Sequence, residues 1–284
     1  MPIDLDKALG AALPGADFEW SEKDVILYQL GVGAGTPATD PGELAYTYEP
    51  RLKVLPSFGV LPAFPMLLGV LSVEGLSFNL MQLLHGEQDI QLHAALPTSA
   101  RSSTVGRVAH IYDKGKAALV VVETTTTDAA GKALCDNHFS LFIRGEGGFG
   151  GDPGPSQSGE PAPDRTPDHV VESPTMPQQA LLYRLSGDPN PLHADPDMAA
   201  SAGFERPILH GLCSYGIVCK AAVDTAFGGD VGAVARYQAR FAGVVLPGET
   251  IVTSLWDEGD RVLVAAATKE RDTPVITNAV VTRG

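Results

Sequence analysis

The stretch ILHGLCSYGIVCKAAVDTAF, residues 208–227, decides the fold of this 284-residue chain. Its apolar side chains cover most of a helical circumference, and they are Leu209, Leu212, Ile217, Val218, Ala221 and Ala222. A helix that is apolar on nearly all sides is buried. The stretch therefore predicts a buried helix, with a sheet wrapped around it.

Segments typical of β-strands follow this helix and also fill much of the first half of the chain. They are rich in Val, Ile, Thr and aromatic side chains, and turn residues such as PGE and EGD separate them. In the second half they read VARYQARF, TIVTSLWD, RVLVAAATKE and PVITNAVVT. In the first half they read QDIQLHAAL, STVGRVAHIYD, AALVVVETTTTD and LCDNHFSLFIR. One buried helix with a run of antiparallel strands is α+β. Two such halves predict a double hot-dog.

The two halves share a phrase, ILYQLGVGAG from Ile26 and LLYRLSGDPNPLHADP from Leu181. Tyr28 and Tyr183 are 155 positions apart in these phrases. The stretch VLPSFGVLPAFPMLLGVL, which begins at Val54, matches the predicted buried helix at an offset of 154. Two landmarks at nearly one offset indicate an internal duplication.

A helix is predicted at each copy of the shared phrase. In the first copy, Ser21 is the predicted N-cap of a helix that ends at Gly31, and Asp24 lies in its first turn. In the second copy, Thr175 and Gln178 form a T-x-x-Q capping box before a helix that stops near residue 187.

A segment dense in Gly, Pro and Ser, GEGGFGGDPGPSQSGEPAPDRTPDH, separates the halves and predicts a linker. The expected organisation is an N-terminal hot-dog domain at 1–150, a linker at 151–174 and a C-terminal hot-dog domain at 175–284. Each half has an ordinary domain size.

Composition narrows the class of protein. A hydrophobic content of 44% predicts a packed globular chain. The formal net charge of -14 argues against nucleic acid or an anionic membrane surface as partner. No apolar run approaches the ~20 residues that cross a bilayer, and neither terminus carries a secretory or peroxisomal signal. Three cysteines without a C-x-x-C favour a reduced, cytoplasmic compartment.

The string SGDPNPLHADP carries the side chains that could do chemistry. Pro189 and Pro191 prevent helix and stiffen the segment. Asp188 and His193 flank this turn, so that a carboxylate and an imidazole could hold one water between them. The Asn190 side chain can hydrogen-bond the loop backbone and so fix the shape of the loop. Taken alone, these dipeptides favour an ordinary Pro-rich turn with an Asx cap and a surface histidine.

The full string resembles the hydratase 2 signature Tyr-x-Leu-Ser-Gly-Asp-x-Asn-Pro-Leu-His. All nine defined positions match, and they are Tyr183, Leu185, Ser186, Gly187, Asp188, Asn190, Pro191, Leu192 and His193. The family is that of the (R)-specific 2-enoyl-CoA hydratases, or MaoC-like dehydratases. The chain resembles the hydratase domain of peroxisomal multifunctional enzyme type 2 and its free-standing bacterial relatives. The likeness extends through AGFERPILHGLCSYG, RFAGVVLPGET and, in the first half, LLHGEQDIQLH and YDKGKAA.

The resemblance implies a role for each matching residue. Asp188 and His193 would be the catalytic pair, with Asn190 orienting them. The backbone N–H of Gly211 would stabilise the thioester oxyanion, since an N–H at a helix start is unpaired and carries the positive end of the helix dipole. The substrate contacts would be His85, Gly86, Lys114, Pro189, Pro191, Leu192 and Phe241. Taken alone, Lys114 would be an exposed turn lysine.

The first copy lacks the reactive side chains. Gly33 stands where Asp188 stands in the second copy, and Pro56-Ser57 replace His210-Gly211. From the family we infer that the first half binds the acyl-CoA without catalysing, and opens a wider groove for a bulky acyl chain.

The reaction implied is the reversible hydration of a trans-2-enoyl-CoA to a (3R)-3-hydroxyacyl-CoA, in the β-oxidation of fatty acids or of sterol side chains. The expected substrate is an acyl-CoA thioester, with no metal and no cofactor, and a homodimer is expected from the family.

Three alternatives stay open. One is a two-His-one-carboxylate iron centre of His193, Asp195 and His210. The second is a hot-dog acyl-CoA thioesterase, and the third is a non-catalytic acyl-CoA-binding protein.

Overall fold

A computed structural model of the chain describes residues 3–156 and 159–284. Its helices are α1 (Leu5–Ala8), α2 (Glu22–Gly31), α3 (Pro41–Thr47), α4 (Pro65–Gly69), α5 (Gln179–Tyr183), α6 (Pro196–Ser201) and α7 (Gly211–Ala226). Its strands are β1 (Ala16–Trp20), β2 (Leu83–Leu92), β3 (Ala100–Asp113), β4 (Ala117–Asp128), β5 (Ala133–Arg144), β6 (His169–Pro174), β7 (Val234–Phe241), β8 (Thr250–Asp257), β9 (Arg261–Thr268) and β10 (Pro274–Arg283). Antiparallel pairing with separate helices confirms the α+β class.

The described residues form two compact units whose limits do not follow the order of the sequence. One unit contains residues 3–19, 59–93 and 101–156. The other contains residues 20–58, 94–100 and 159–284. Part of the first half of the sequence, which includes α2 and α3, therefore belongs to the second unit.

The first unit is built on the strand order β1-β3-β4-β5-β2. Its core is a single apolar cluster in which the inward-facing side chains of β3, β4 and β5 pack around α4 and the segment after it. Members of this cluster include Met66, Val70, Val108, Val120, Val122, Phe139, Leu141 and Ile143. The four strands predicted in this half are all present, and β4 has the predicted bounds.

The helix expected from residue 54 in the first half is not continuous. The segment instead forms a 3-10 helix at Pro56–Val60, then α4, then a 3-10 turn at Val70–Ser72. Pro62 and Pro65 interrupt it, because a proline has no N–H to donate and its ring clashes with the preceding helical turn. The prediction of a matching long helix in this half was wrong.

The second unit is built on the strand order β7-β10-β9-β8-β6, with α7 packed against the sheet. The predicted buried helix is confirmed, since nearly every residue of α7 up to residue 223 is buried. The four predicted strands are confirmed as β7 to β10. Two short strands, β1 and β6, were not predicted, and β6 occupies the last six residues of the predicted linker.

The two copies of the shared phrase lie side by side in this second unit. The rings of Tyr28 in α2 and Tyr183 in α5 have centroids 5.9 Å apart. A Cβ added to Gly31 would lie 3.3 Å from the Cα of Tyr183, so the two helices approach closely. The amide of Gln179 donates to the carbonyl oxygen of Gly31 at 2.6 Å. The two segments that share this phrase therefore pack against each other.

Of the N-terminal caps predicted for these two helices, one is confirmed and one is wrong. At α2, the carboxylate of Asp24 accepts hydrogen bonds from the Ser21 N–H at 2.9 Å and from its hydroxyl at 2.6 Å, which confirms the cap. At α5 the prediction was wrong, since the helix begins four residues after Thr175. The Thr175 hydroxyl donates to the carbonyl oxygen of Glu249 at 2.7 Å, and Gln179, not Gln178, reaches back to the N–H of residue 176.

Gly216 is a packing point at which a single methyl group should destabilise the second unit. A Cβ there would lie 2.5 Å from Cγ1 of Val32 and 2.8 Å from the hydroxyl oxygen of Tyr28. We expect Gly216→Ala to lower the free energy of unfolding by about 1–3 kcal/mol through overpacking, although alanine favours helix by about 1 kcal/mol. Urea unfolding checks this. The control is Gly69→Ala, where the new methyl would make an ordinary 3.5 Å contact, and a Gly216→Ala protein as stable as the wild type would contradict the expectation.

Candidate active site

The loop after α5 holds the predicted catalytic string in a fixed shape. Gly187 has a φ of 127°, which side-chain-bearing residues rarely adopt, and it ends the helical turn. The Asp188 carboxylate accepts a hydrogen bond from the N–H of Asn190 at 3.2 Å. The side chain of Asn190 in turn accepts from the N–H of Leu192 at 3.0 Å. The Asn190 side chain thus holds the loop by bonding to its backbone, as the sequence predicted.

His193 points inward from this loop and only 8% of its surface is exposed. Its Nδ1 lies 2.8 Å from the carbonyl oxygen of Ile208. A carbonyl only accepts, so Nδ1 carries the hydrogen and Nε2 of the neutral ring carries the lone pair. Burial lowers the pKa of His193 below its usual 6.5, and the bond to Ile208 opposes this. Near neutral pH the ring is therefore neutral, with a nitrogen able to accept a proton.

Asp188 is partly buried beside the two histidines. One nitrogen of His193, one of His210 and a carboxylate oxygen of Asp188 all lie within 4.8 Å of one another. Loss of hydration raises the pKa of Asp188 above 3.8, while the Asn190 N–H and His193 oppose the shift. A carboxylate with a raised pKa is a stronger base than one in water. A water that hydrogen-bonds to each partner at about 2.8 Å can bridge atoms this far apart.

His210 belongs to this cluster, although from the sequence we expected it only as a possible metal ligand. It is 1% exposed and directly precedes α7. Its Nε2 donates to the backbone carbonyl oxygen of Asp188 at 3.2 Å. Its ring stacks on that of His193, with centroids 3.7 Å apart and planes 29° from parallel. The sequence signal that could have found His210 was its position directly before Gly211, the predicted oxyanion donor.

The three-ligand metal centre considered from the sequence is not the cluster that forms. The carboxylate of Asp195 caps α6 and accepts from the N–H of Asp197 at 2.8 Å. The carboxylate that stands beside the two stacked histidine rings is that of Asp188, not that of Asp195.

Gly211 is the first residue of α7, and it is exposed. Its N–H has no acceptor within the helix and lies at the positive end of the helix dipole. The Phe241 ring lies beside it, since a Cβ added to Gly211 would be 3.4 Å from Cδ1 of that ring. The structure thus brings Phe241 to the same helix start.

The remaining predicted substrate contacts are placed as follows. Pro189 and Pro191 are exposed and Leu192 is half-buried, all in the loop after α5. Their role stays a prediction.

The predicted contacts of the first half lie in the first unit. His85 and Gly86 are in β2, where a register shift opposite β5 marks a bulge. Lys114 is in the turn after β3, and its ammonium donates to the carbonyl oxygens of Pro153 and Pro155 at 2.5 and 2.8 Å. Their role in CoA binding also stays a prediction.

Among the described residues, no helix combines the length and the apolar composition that spanning a membrane requires.

Two family models match the chain. The MFE-2 hydratase 2 N-terminal domain matches residues 18–145, and the MaoC-like domain matches residues 158–279.

Named relatives match over nearly their whole length. The enoyl-CoA hydratase ChsH3 of Mycobacterium tuberculosis is 49% identical over 99% of this chain and 98% of its own. The peroxisomal enoyl-CoA hydratase 2 of Arabidopsis thaliana is 40% identical over 98% and 95%. The solved MaoC-like dehydratase of Phytophthora capsici superposes with a TM-score of 0.89 at 32% identity, over 99% and 98%. The predicted double hot-dog fold is confirmed.

Proposed function

The chain belongs to the hydratase 2 family of MaoC-like dehydratases, and from that premise we propose that it converts a trans-2-enoyl-CoA reversibly to the (3R)-3-hydroxyacyl-CoA. It is an enzyme of the hydro-lyase class. The observation that carries the proposed chemistry is the pairing of Asp188 with His193 on a rigid loop, with their polar atoms within 4.8 Å.

In the proposed mechanism Asp188 and His193 hold one water. The water oxygen forms a bond to C3 of the enoyl group as Asp188 or the free nitrogen of His193 takes one of its protons. The π electrons move toward the thioester, and a proton then returns to C2 on the same face. General acid–base help of this kind contributes about 10²–10⁴-fold in rate.

The Gly211 N–H is the proposed donor to the thioester oxygen. Negative charge develops on this oxygen when C3 is attacked, and a preorganised donor at a helix start stabilises it without reorganisation. Its exposure and its lack of a side chain support close approach by a ligand.

Three further features belong to the proposal. The addition of water is redox-neutral overall, so the proposed chemistry needs no redox cofactor, and it uses no metal. The proposed substrate contacts are Phe241, Pro189, Pro191, Leu192, His85, Gly86 and Lys114. A homodimer in the cytoplasm is the proposed form of the protein.

The test is the loss of the conjugated enoyl-thioester absorbance on mixing the purified protein with a medium-chain trans-2-enoyl-CoA, followed by chiral analysis of the product. We expect a fast loss and the 3R alcohol. A 3S product, or no loss with straight-chain and sterol-derived substrates, would contradict the proposal. A thiol-reactive dye run in parallel detects free CoA, whose release without hydration would instead indicate a thioesterase.

A further inference from the structure

We propose that His210 is a positioning residue for this hydration, holding the backbone of Asp188 with its Nε2–H and supporting the ring of His193 with its own. The inference rests on the proposed function, because it assigns a role within the same catalytic pair. Two separate contacts carry it.

The first contact fixes the backbone on which the Asp188 carboxylate is carried. The His210 Nε2–H donates to the Asp188 carbonyl oxygen at 3.2 Å, and the Arg184 guanidinium donates to the next carbonyl, that of Pro189, at 3.1 Å. Two consecutive carbonyls of a non-helical turn are therefore held by side chains from outside it. A small displacement of a catalytic group lowers the reaction rate strongly. We therefore expect a contact that holds the backbone of Asp188 in place to raise kcat.

The second contact covers a face of the His193 imidazole. The His210 ring lies between that of His193, at 3.7 Å between centroids, and that of Tyr183, at 5.0 Å. Phenylalanine could supply the flat surface and glutamine could supply the donor. An imidazole supplies both at once, which explains why this residue type suits the position.

The charge of His210 agrees with this role. Burial, with a contribution from His193, lowers the pKa of His210 to about 3. The ring therefore stays neutral while the catalytic pair works, and a second cation does not oppose proton uptake by His193. The charged and titratable groups around the stacked rings are Asp188, Arg184 and the phenol of Tyr183, besides the histidines themselves.

Two variants separate the two contacts. His210→Phe keeps a ring against His193 but removes the donor, so we expect kcat to fall roughly tenfold, the rate equivalent of one hydrogen bond, with KM and the acid limb of the pH profile unchanged. His210→Gln keeps a donor but uncovers His193. Water then reaches that ring and its pKa rises toward 6.5, so the acid limb should move to higher pH.

The measurements are kcat and KM from pH 5 to 9, and the pKa of His193 from ¹⁵N NMR of the substrate-free protein. An unchanged kcat in His210→Phe would overturn the role proposed for the hydrogen bond to Asp188. An unchanged pKa of His193 in His210→Gln would overturn the role proposed for the stacked rings. Equal losses in both variants that track reduced stability, with no pH shift, would reduce His210 to a packing residue. If the wild type itself fails to hydrate enoyl-CoA, the proposed function fails, while the NMR titration still decides whether His210 covers His193.

Discussion

Asp188→Asn is expected to lower kcat for enoyl-CoA hydration by about 10²–10⁴-fold, the usual contribution of a positioned general acid or base. The amide cannot accept a proton from water, although it has nearly the same size and shape as the carboxylate. Its oxygen can still accept from the N–H of Asn190, so the loop keeps its turn. Because the buried carboxylate loses hydration in the native protein, the variant should unfold no more easily than the wild type.

Asp195→Asn is the matched control, with the same substitution seven residues further along. Asn caps a helix as well as Asp does, and Asp195 serves only to accept from the first backbone N–H groups of α6. We expect its hydration rate to stay near that of the wild type. Stopped-flow or steady-state absorbance measures both, and near-normal turnover in Asp188→Asn would remove Asp188 from the proposed mechanism.

Gly211→Pro is expected to lower kcat by about 10²–10³-fold, the typical cost of one lost oxyanion donor. Proline removes the N–H outright, and the first helical position tolerates it. The preceding residue, His210, has φ -59° and ψ 136°, an extended conformation that a following proline accepts. Helix α7 should therefore form as before, and far-UV circular dichroism can check it.

Gly211→Ala separates the effect of losing the N–H from the effect of adding a side chain. The added methyl group would make ordinary contacts with the Phe241 ring, at 3.4 Å and beyond, and the N–H stays in place. We expect Gly211→Ala to lose less activity than Gly211→Pro when kcat is compared under saturating substrate. Equal rates in the two variants would mean that the N–H contributes nothing to the reaction.

The elements that the sequence predicted well depend on local patterns. Helix α7 is apolar over most of its circumference, and strands β7 and β8 have the predicted bounds because turn residues flank them on both sides. The loop from Asp188 to His193 was predicted through a contiguous string whose prolines and Asx hydrogen bonds determine its shape within a few residues.

The elements that were missed depend on partners distant in sequence. The Thr175 hydroxyl binds a carbonyl 74 positions away, so it does not cap α5. Strand β6 exists because β8 pairs with it, in a stretch whose neighbours are rich in proline and glycine. His210 meets Asp188 across 22 positions, and no spacing rule within one helix or strand brings those two residues together.

The packing of residues 20–58 within the second unit bears on how the two halves of the sequence could evolve, if the predicted duplication occurred. After a duplication, a copy that has lost its reactive residues is ordinarily free to be deleted. Here a deletion of the first half would remove Tyr28 and Gly31, which contact Tyr183 and Gln179 just before the loop from Asp188 to His193. Under the proposed function, selection on the Asp188–His193 loop would therefore also preserve the segment of the first half that packs beneath it.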